Sequence, residues 1–143
     1  FAKSDVVTLN AEDPLVVGEL FNWPGHGETL LERLMETYPA VRHVVVTRGA
    51  DGMWWWTRSR FLKRSGKEVR VADTIGASDS VAAVVVMGLL CGMDPADIID
   101  YAVDISGFVC GHIGATPALP QRYRDLFSRA PIAGVPSHAA GNP

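Results

Sequence analysis

From Val81 to Cys91 the chain reads Val-Ala-Ala-Val-Val-Val-Met-Gly-Leu-Leu-Cys, without one charged or strongly polar side chain. A helix that is apolar on all sides has to lie at the centre of a fold. The stretch is too short to cross a bilayer, which takes about 20 apolar residues. It is preceded by the small, polar opening Gly76-Ala-Ser-Asp-Ser80 and followed by Gly92, a residue suited to a helix C-cap. The spacing predicts a central helix over Gly76–Cys91, around which the other elements must be arranged.

Those elements alternate. Asp5–Asn10 and Val41–Thr47, the latter with the run Val44-Val45-Val46, read as strands buried on both faces. Between them, Asp13-Pro14 opens a short helix to Phe21, with Asp13 as N-cap and Pro at the first helical position. Glu28–Tyr38 is amphipathic, with Leu30, Leu31, Leu34 and Met35 on one face. Gly49–Gly52 turns the chain. Further strands are predicted over Met53–Thr57 and Glu68–Val71, separated by the polar segment Arg58–Lys67. Pro95–Cys110 forms another helix with Asp94 as N-cap. Strand, helix, strand in this order is a βαβ unit, so the fold class is α/β with a doubly wound sheet. Residues 1–130 make one unit, and 131–143, rich in Pro, Gly, Ala and Ser, read as a flexible tail.

Composition narrows the function classes. The 143 residues hold 13 Lys+Arg against 16 Asp+Glu, a formal charge of −3. That balance argues against nucleic-acid or anionic-membrane partners, which need a basic field. Cys91 and Cys110 are too few for a disulfide scaffold or a cysteine zinc site, and read as buried free thiols of a cytoplasmic protein.

Two motifs carry chemistry. In Asp73-Thr-Ile-Gly-Ala-Ser-Asp79, small residues at 76–78 let consecutive backbone N–H groups of a helix start face one point. Such a site binds phosphate or stabilises a transferring phosphoryl group. Asp79, in the first turn, would stand ready to take a proton from an attacking hydroxyl. Equally, Asp79 can serve only to complement the helix dipole, with the small residues permitting tight packing. In Thr47-Arg-Gly-Ala-Asp-Gly52, glycines three apart at a strand's carboxyl end allow a ligand to approach the backbone, or simply make a turn.

Together these stretches resemble the ribokinase-like (PfkB-type) carbohydrate kinases. Asp73–Asp79 is similar to that family's D-T-x-G-A-G-D signature. Thr47, Gly49 and Gly52 match its T-x-G-x-x-G nucleotide motif, and Gly114-Ala-Thr-Pro-Ala-Leu-Pro120 its G-A-x-P-x-x-P ending. The resemblance spans roughly residues 5–127 and implies the carboxyl-terminal half of such a kinase. The amino-terminal part and the lid, which often forms a homodimer contact, are expected to be missing. It implies transfer of the ATP γ-phosphoryl group to a hydroxyl of a small carbohydrate, with fructokinase-like members closest in wording. Asp79 would be the base, and the amides of Gly76, Ala77, Ser78 and Asp79 the anion hole. Thr47, Gly49, Gly52 and Val103 would line the nucleotide site. Asn10 and Asp13 fall on an N-x-x-E motif associated with phosphate and Mg²⁺, and Asp73 on a position that in several members helps hold a monovalent cation such as K⁺.

Three positions depart from the pattern. Ser78 stands where Gly is usual, and a positive φ there would cost about 1–2 kcal/mol. Asp13 is one methylene shorter than Glu, and Val103 offers no polar contact to a base. A catalytically degenerate nucleotide- or sugar-binding module and a nucleoside kinase of the same family are the alternatives. Two other features have plainer readings. Trp54-Trp55-Trp56 alternates faces of a strand and belongs to sheet packing. The cations Arg58, Arg60, Lys63, Arg64, Lys67 and Arg70 read as a solvated hairpin, with phosphate attraction or a subunit contact as the sharper options.

Overall fold

The computed structural model describes residues 1–128; the tail expected over 131–143 lies outside them. Four strands form one sheet in the order β1 (Val6–Asn10), β2 (His43–Thr47), β3 (Met53–Thr57), β4 (Phe61–Arg64). β1 and β2 are parallel, joined through helices α1 (Asp13–Phe21) and α2 (Glu28–Thr37). β3 and β4 then add antiparallel. Helices α3 (Ala77–Leu90), α4 (Pro95–Cys110) and α5 (Gln121–Ser128) follow among the described residues. The α/β class holds, in a sheet that is mixed.

Alternation along the strands sorts the core into two layers. Val7, Val44, Val46 and Trp56 pack with α1 and α2 through Val17, Leu31, Leu34 and Met35. Val45, Met53 and Trp55 face the other way, against Val81, Val84 and Val85 of α3 and Ile98, Ile99 and Ala102 of α4. Trp55 is fully buried, whereas Trp54 and Trp56 share the opposite face, which is the sheet-packing use expected of the triplet. Gly88 lets the two apolar helices meet, since a Cβ there would stand 2.6 Å from Ile98 Cγ1.

Several boundaries differ from expectation. Asp13 is the first residue of α1 and not its N-cap. Instead the Asn10 side-chain oxygen accepts the Glu12 and Asp13 amides, and the Asp13 carboxylate accepts the Asn10 amide at 2.7 Å, a reciprocal cap one turn earlier. β4 lies inside the segment read as a polar spacer, because its alternation of Phe61 and Leu62 with Lys63 and Arg64 is short and half charged. Glu68–Val71, expected as a strand, is irregular and exposed. α5 was not anticipated; its pattern is polar apart from Tyr123, Leu126 and Phe127. Neither cysteine is fully buried, though both are free. The central helix is also covered on one side only: Val86 and Leu90 are exposed, as are Leu15, Val16 and Leu20 of α1, and β1 has no partner on its outer edge among the described residues.

The half-buried His43 sits behind Trp55, whose indole Nε1–H donates to His43 Nδ1 at 3.3 Å. That nitrogen must be unprotonated to accept. Burial pushes the imidazole below its ordinary value, against the opposing pull of Asp5. The unfolded state therefore binds the proton more readily, so the stabilisation is complete above the unfolded value of about 6.5 and is lost as pH falls through the lower folded one. We expect unfolding free energy, measured by denaturant titration of the full-length protein between pH 7.5 and 5, to fall with pH, and the slope to flatten in His43→Gln.

Candidate functional site

The carboxyl ends of the two parallel strands and the amino end of α3 converge. Asn10 and Thr47 end β1 and β2 side by side in register. Thr47 Oγ1 lies 3.4 Å from Ser78 Oγ in the first turn of α3. This is where ligands bind in open α/β sheets, outside the strand carboxyl ends.

The start of α3 is built for exposed amides. Gly76 caps it in the left-handed region at φ 82°, and a Cβ there would lie 2.4 Å from the carbonyl oxygen of Ala115. Only glycine fits between the turn and the 114–116 loop. Asp73 fastens the same junction: one carboxylate oxygen accepts the Ile75 amide at 3.0 Å, the other the Gly114 amide at 3.1 Å. These backbone donors hold the Asp73 carboxyl below the usual carboxylate range. Past this turn, Ala77 N–H donates to Thr74 O at 3.3 Å and Ser80 N–H to Gly76 O at 2.9 Å. Among the described residues, the amides of Gly76, Ser78 and Asp79 donate to no protein group. Three N–H groups at a helix start, where the macrodipole places about half a positive charge, form a concavity of the kind that can hold an anion. Ala77 contributes its small side chain more than its amide. The Asp79 carboxylate is exposed beside them.

Ser78 is helical. The only non-glycine residue with positive φ among the described residues is Asn22, so the backbone cost raised by Ser in place of Gly does not arise, and its hydroxyl points toward Thr47.

Behind the amides opens a cavity of about 480 Å³. Thr47, Thr74, Ala77 and Ser78 line its polar end; Val69, Val71, Val81, Val103 and Gly107 line its apolar wall. The two glycines of the T-x-G-x-x-G stretch divide the labour. Gly49, at φ 55°, has open space where a side chain would project, on the cavity. Gly52, at φ 90°, is held against backbone: a Cβ would lie 2.1 Å from Arg64 O and 2.4 Å from Gly66 N. So Gly52 admits the strap 65–72, and Gly49 leaves room for a ligand. That strap, with Ser106, Gly107 and Cys110 of α4, is the part of the wall that sequence reading missed; no motif marks it. Asn10, Asp13, Asp73, Gly76 and Asp79 lie outside the cavity lining, at its mouth or in the turns that shape it. The Asn10–Asp13 pair is engaged in capping α1. No cluster of three or more His, Cys, Asp or Glu suited to a metal occurs among the described residues, and no described helix is long and apolar enough to cross a membrane.

Half of the basic segment is paired: Arg60 meets Asp94 at 2.8 Å, Arg64 meets Asp100, and Lys67 meets Asp104, tying β4 and the strap along α4. Most of its cations are exposed on or beside the β3–β4 hairpin, as expected.

Gly52→Ala should lose the strap as well as pay for positive φ, whereas Gly49→Ala bears only the latter, about 1–2 kcal/mol. Thermal unfolding of both variants in the full-length protein is expected to place Gly52→Ala well below Gly49→Ala.

With this geometry in hand, relatives can be weighed. The chain is 28% identical over 109 residues to an uncharacterized sugar kinase of Escherichia coli (strain K12), covering 76% of this chain and 33% of that protein. It is 31% identical over 88 residues to a fructokinase of Rhizobium leguminosarum bv. trifolii, covering 62% and 25%. Among solved structures, the ribokinase of Thermotoga maritima superposes with a TM-score of 0.73 at 19% identity, over 86% of this chain and 41% of that one. A ribokinase-II-type protein of E. coli solved with ATP and Mg²⁺ gives 0.65 at 19%, over 78% and 34%. The chain thus spans about a third of the length of the curated relatives it matches, and its fold is the ribokinase-like one. The family model described as pfkB family carbohydrate kinase matches residues 1–122, and the chain belongs to that family.

Proposed function

We propose that this stretch forms the nucleotide-binding and phosphoryl-transfer half of an ATP-dependent sugar kinase. The observation that carries the reading is the set of unpartnered amides at Gly76, Ser78 and Asp79, placed between an apolar cavity and an exposed carboxylate. The cavity volume suits a small-molecule ligand. Its apolar wall would take the base, with Val103 packing against it in place of a polar contact, and Thr47 to Gly52 would follow the phosphates. The γ-phosphate would then rest on the three amides.

The Asp79 carboxylate accepts the proton of the acceptor hydroxyl as that oxygen bonds to the γ-phosphorus. The bond to the bridging oxygen of the leaving ADP breaks, and the amides take up the charge on the phosphoryl oxygens. Mg²⁺, were it bound with the nucleotide, would offset the phosphate charge, and few protein carboxylates would be needed to hold it. Asp13, on the β1 side, would be a carboxylate available to it, and its capping bond to Asn10 holds one oxygen in a fixed place. For K⁺, Asp73 would act through the turn that it organises.

A fructose-like acceptor is favoured by family wording alone; the part of the molecule that would select the sugar is not among these residues. The protein would be cytoplasmic, acting on small carbohydrate and ATP, with a homodimer contact elsewhere.

In the full-length protein, Asp79→Ala should lower sugar-dependent ADP release by roughly 10²–10⁴-fold, the usual contribution of a general base, and leave ATP binding essentially unchanged. Wild type without turnover on a broad panel of sugars and nucleosides would establish the degenerate binding module instead, and turnover on nucleosides alone the nucleoside kinase.

A further inference from the structure

The strap 65–72 forms one wall of the cavity, yet it carries no regular hydrogen-bonded structure. Its ends are fixed by backbone. At the start, Gly66 is pressed against the Gly49–Gly52 turn, where a Cβ on Gly66 would stand 2.3 Å from Ala50 O. At the end, the amides of Ala72 and Asp73 both donate to Cys110 O, at 2.8 and 3.3 Å. Between these pins, Val69 and Val71 are exposed toward the cavity, and such a segment would ordinarily be mobile.

One side-chain cluster holds it. Lys67 Nζ pairs with one oxygen of Asp104, in the middle of α4. The other oxygen accepts the Tyr123 hydroxyl at 2.7 Å. Tyr123 is 4% exposed and belongs to the core cluster shared by α3 and α4. Its ring meets Phe108 edge-on, and Arg122 donates to its oxygen at 3.0 Å. Burial pushes the Asp104 carboxyl up, but the bonds from Lys67 and Tyr123 outweigh it and keep the group ionised. Beneath the strap α4 offers Gly107, where a Cβ would come within 3.4 Å of Lys67 Cβ and 3.5 Å of Val69 Cγ1. The strap is thus seated on a bare stretch of α4 and tied there by a carboxylate that a buried tyrosine orients.

We propose that Asp104, oriented by Tyr123, is the positioning residue of the nucleotide pocket: through Lys67 it holds strap 65–72 in its ligand-ready place before nucleotide arrives. This rests on the reading of the cavity as a nucleotide site. A preformed wall spares the ligand the cost of ordering it, so the benefit falls on nucleotide affinity and not on the chemical step. The main rival is that Lys67 itself contacts the phosphates. The two ideas predict opposite signs. If Asp104 positions the strap, removing its charge weakens nucleotide binding; if it merely sequesters a phosphate-binding lysine, removing it frees that lysine and tightens binding.

The test uses the full-length protein with Asp104→Asn and Tyr123→Phe, neither of which touches the cavity, and Lys67→Arg as the conservative variant. Two readouts are compared: amide hydrogen exchange over residues 66–71 without nucleotide, and affinity for a fluorescent ATP analogue alongside kcat and the KM values. We expect Asp104→Asn to speed strap exchange and to raise Kd and KM for ATP by roughly 5- to 10-fold, the loss of one charge-assisted bond. kcat and KM for the acceptor should hold, Tyr123→Phe should show a smaller effect of the same sign, and Lys67→Arg should stay near wild type. Unchanged or tighter nucleotide binding in Asp104→Asn overturns the positioning role while the nucleotide reading stands. A wild type that binds no nucleotide overturns both, and a strap that still loosens in Asp104→Asn then assigns the fault to the nucleotide reading. If Asp104→Asn does not fold, Tyr123→Phe, which keeps the ring in the core, decides by the same two readouts.

Discussion

The packing of α3 on the inner face of the sheet determines where everything else goes. Val81, Val84 and Val85 lie on Val45 and Trp55, and the apolar composition of the helix leaves it no alternative orientation that keeps these valines dry. Once its body is buried there, its polar first turn emerges at the carboxyl ends of β1 and β2. The placement of these unpartnered amides is therefore a by-product of hydrophobic burial as much as of the motif itself. Gly76 and Asp73 then shape what burial has delivered, one by yielding space to Ala115 and the other by binding the Ile75 and Gly114 amides.

Polar side chains in this protein mostly complete backbone geometry. Asn10 and Asp13 satisfy each other's neighbouring amides at the start of α1, Asp94 caps α4 through the Ala96 amide at 2.8 Å, and Asp73 ties two loops. A carboxylate so engaged has oxygens whose directions are set before any cation or phosphate approaches. Structural and functional roles at such positions are then not rivals, because the cap supplies the preorganisation that binding uses.

How much of this could be read from residues alone depended on how local the signal was. The central helix, Asp94 as the cap of α4, the two valine-rich strands and the face alternation of Trp54–Trp56 rest on periodicity or on a single turn, and all stand in the structure. The signature Asp73–Asp79 put four amides at the helix start; three of them, at Gly76, Ser78 and Asp79, are without a protein acceptor among the described residues, while that of Ala77 is taken by Thr74 O. What failed was non-local. β4 was hidden because half its residues are charged, and its cations look like solvent-exposed ones until Asp94, Asp100 and Asp104 of α4 are seen beside them. The strap has strand-like valines, but no neighbouring edge to pair with. Gly52 lines the cavity as the motif match implied, but sequence cannot show that Arg64 and Gly66 also come back to press on it. The concern over Ser78 assumed a positive φ that the helix removes.

The ladder of ion pairs along α4 also bears on how a polyanion would find this pocket. Six cations within thirteen residues would be expected to cast a long-range positive field. Three of them spend their charge locally on aspartates one helix away, and Arg48, at the cavity mouth, lies over the Trp54 ring at 3.9 Å with Asp51 alongside. Pairing at this range shortens the reach of the positive field the segment can cast. Were a triphosphate to bind here as proposed, its capture would rest more on short-range hydrogen bonds to fixed amides than on long-range steering.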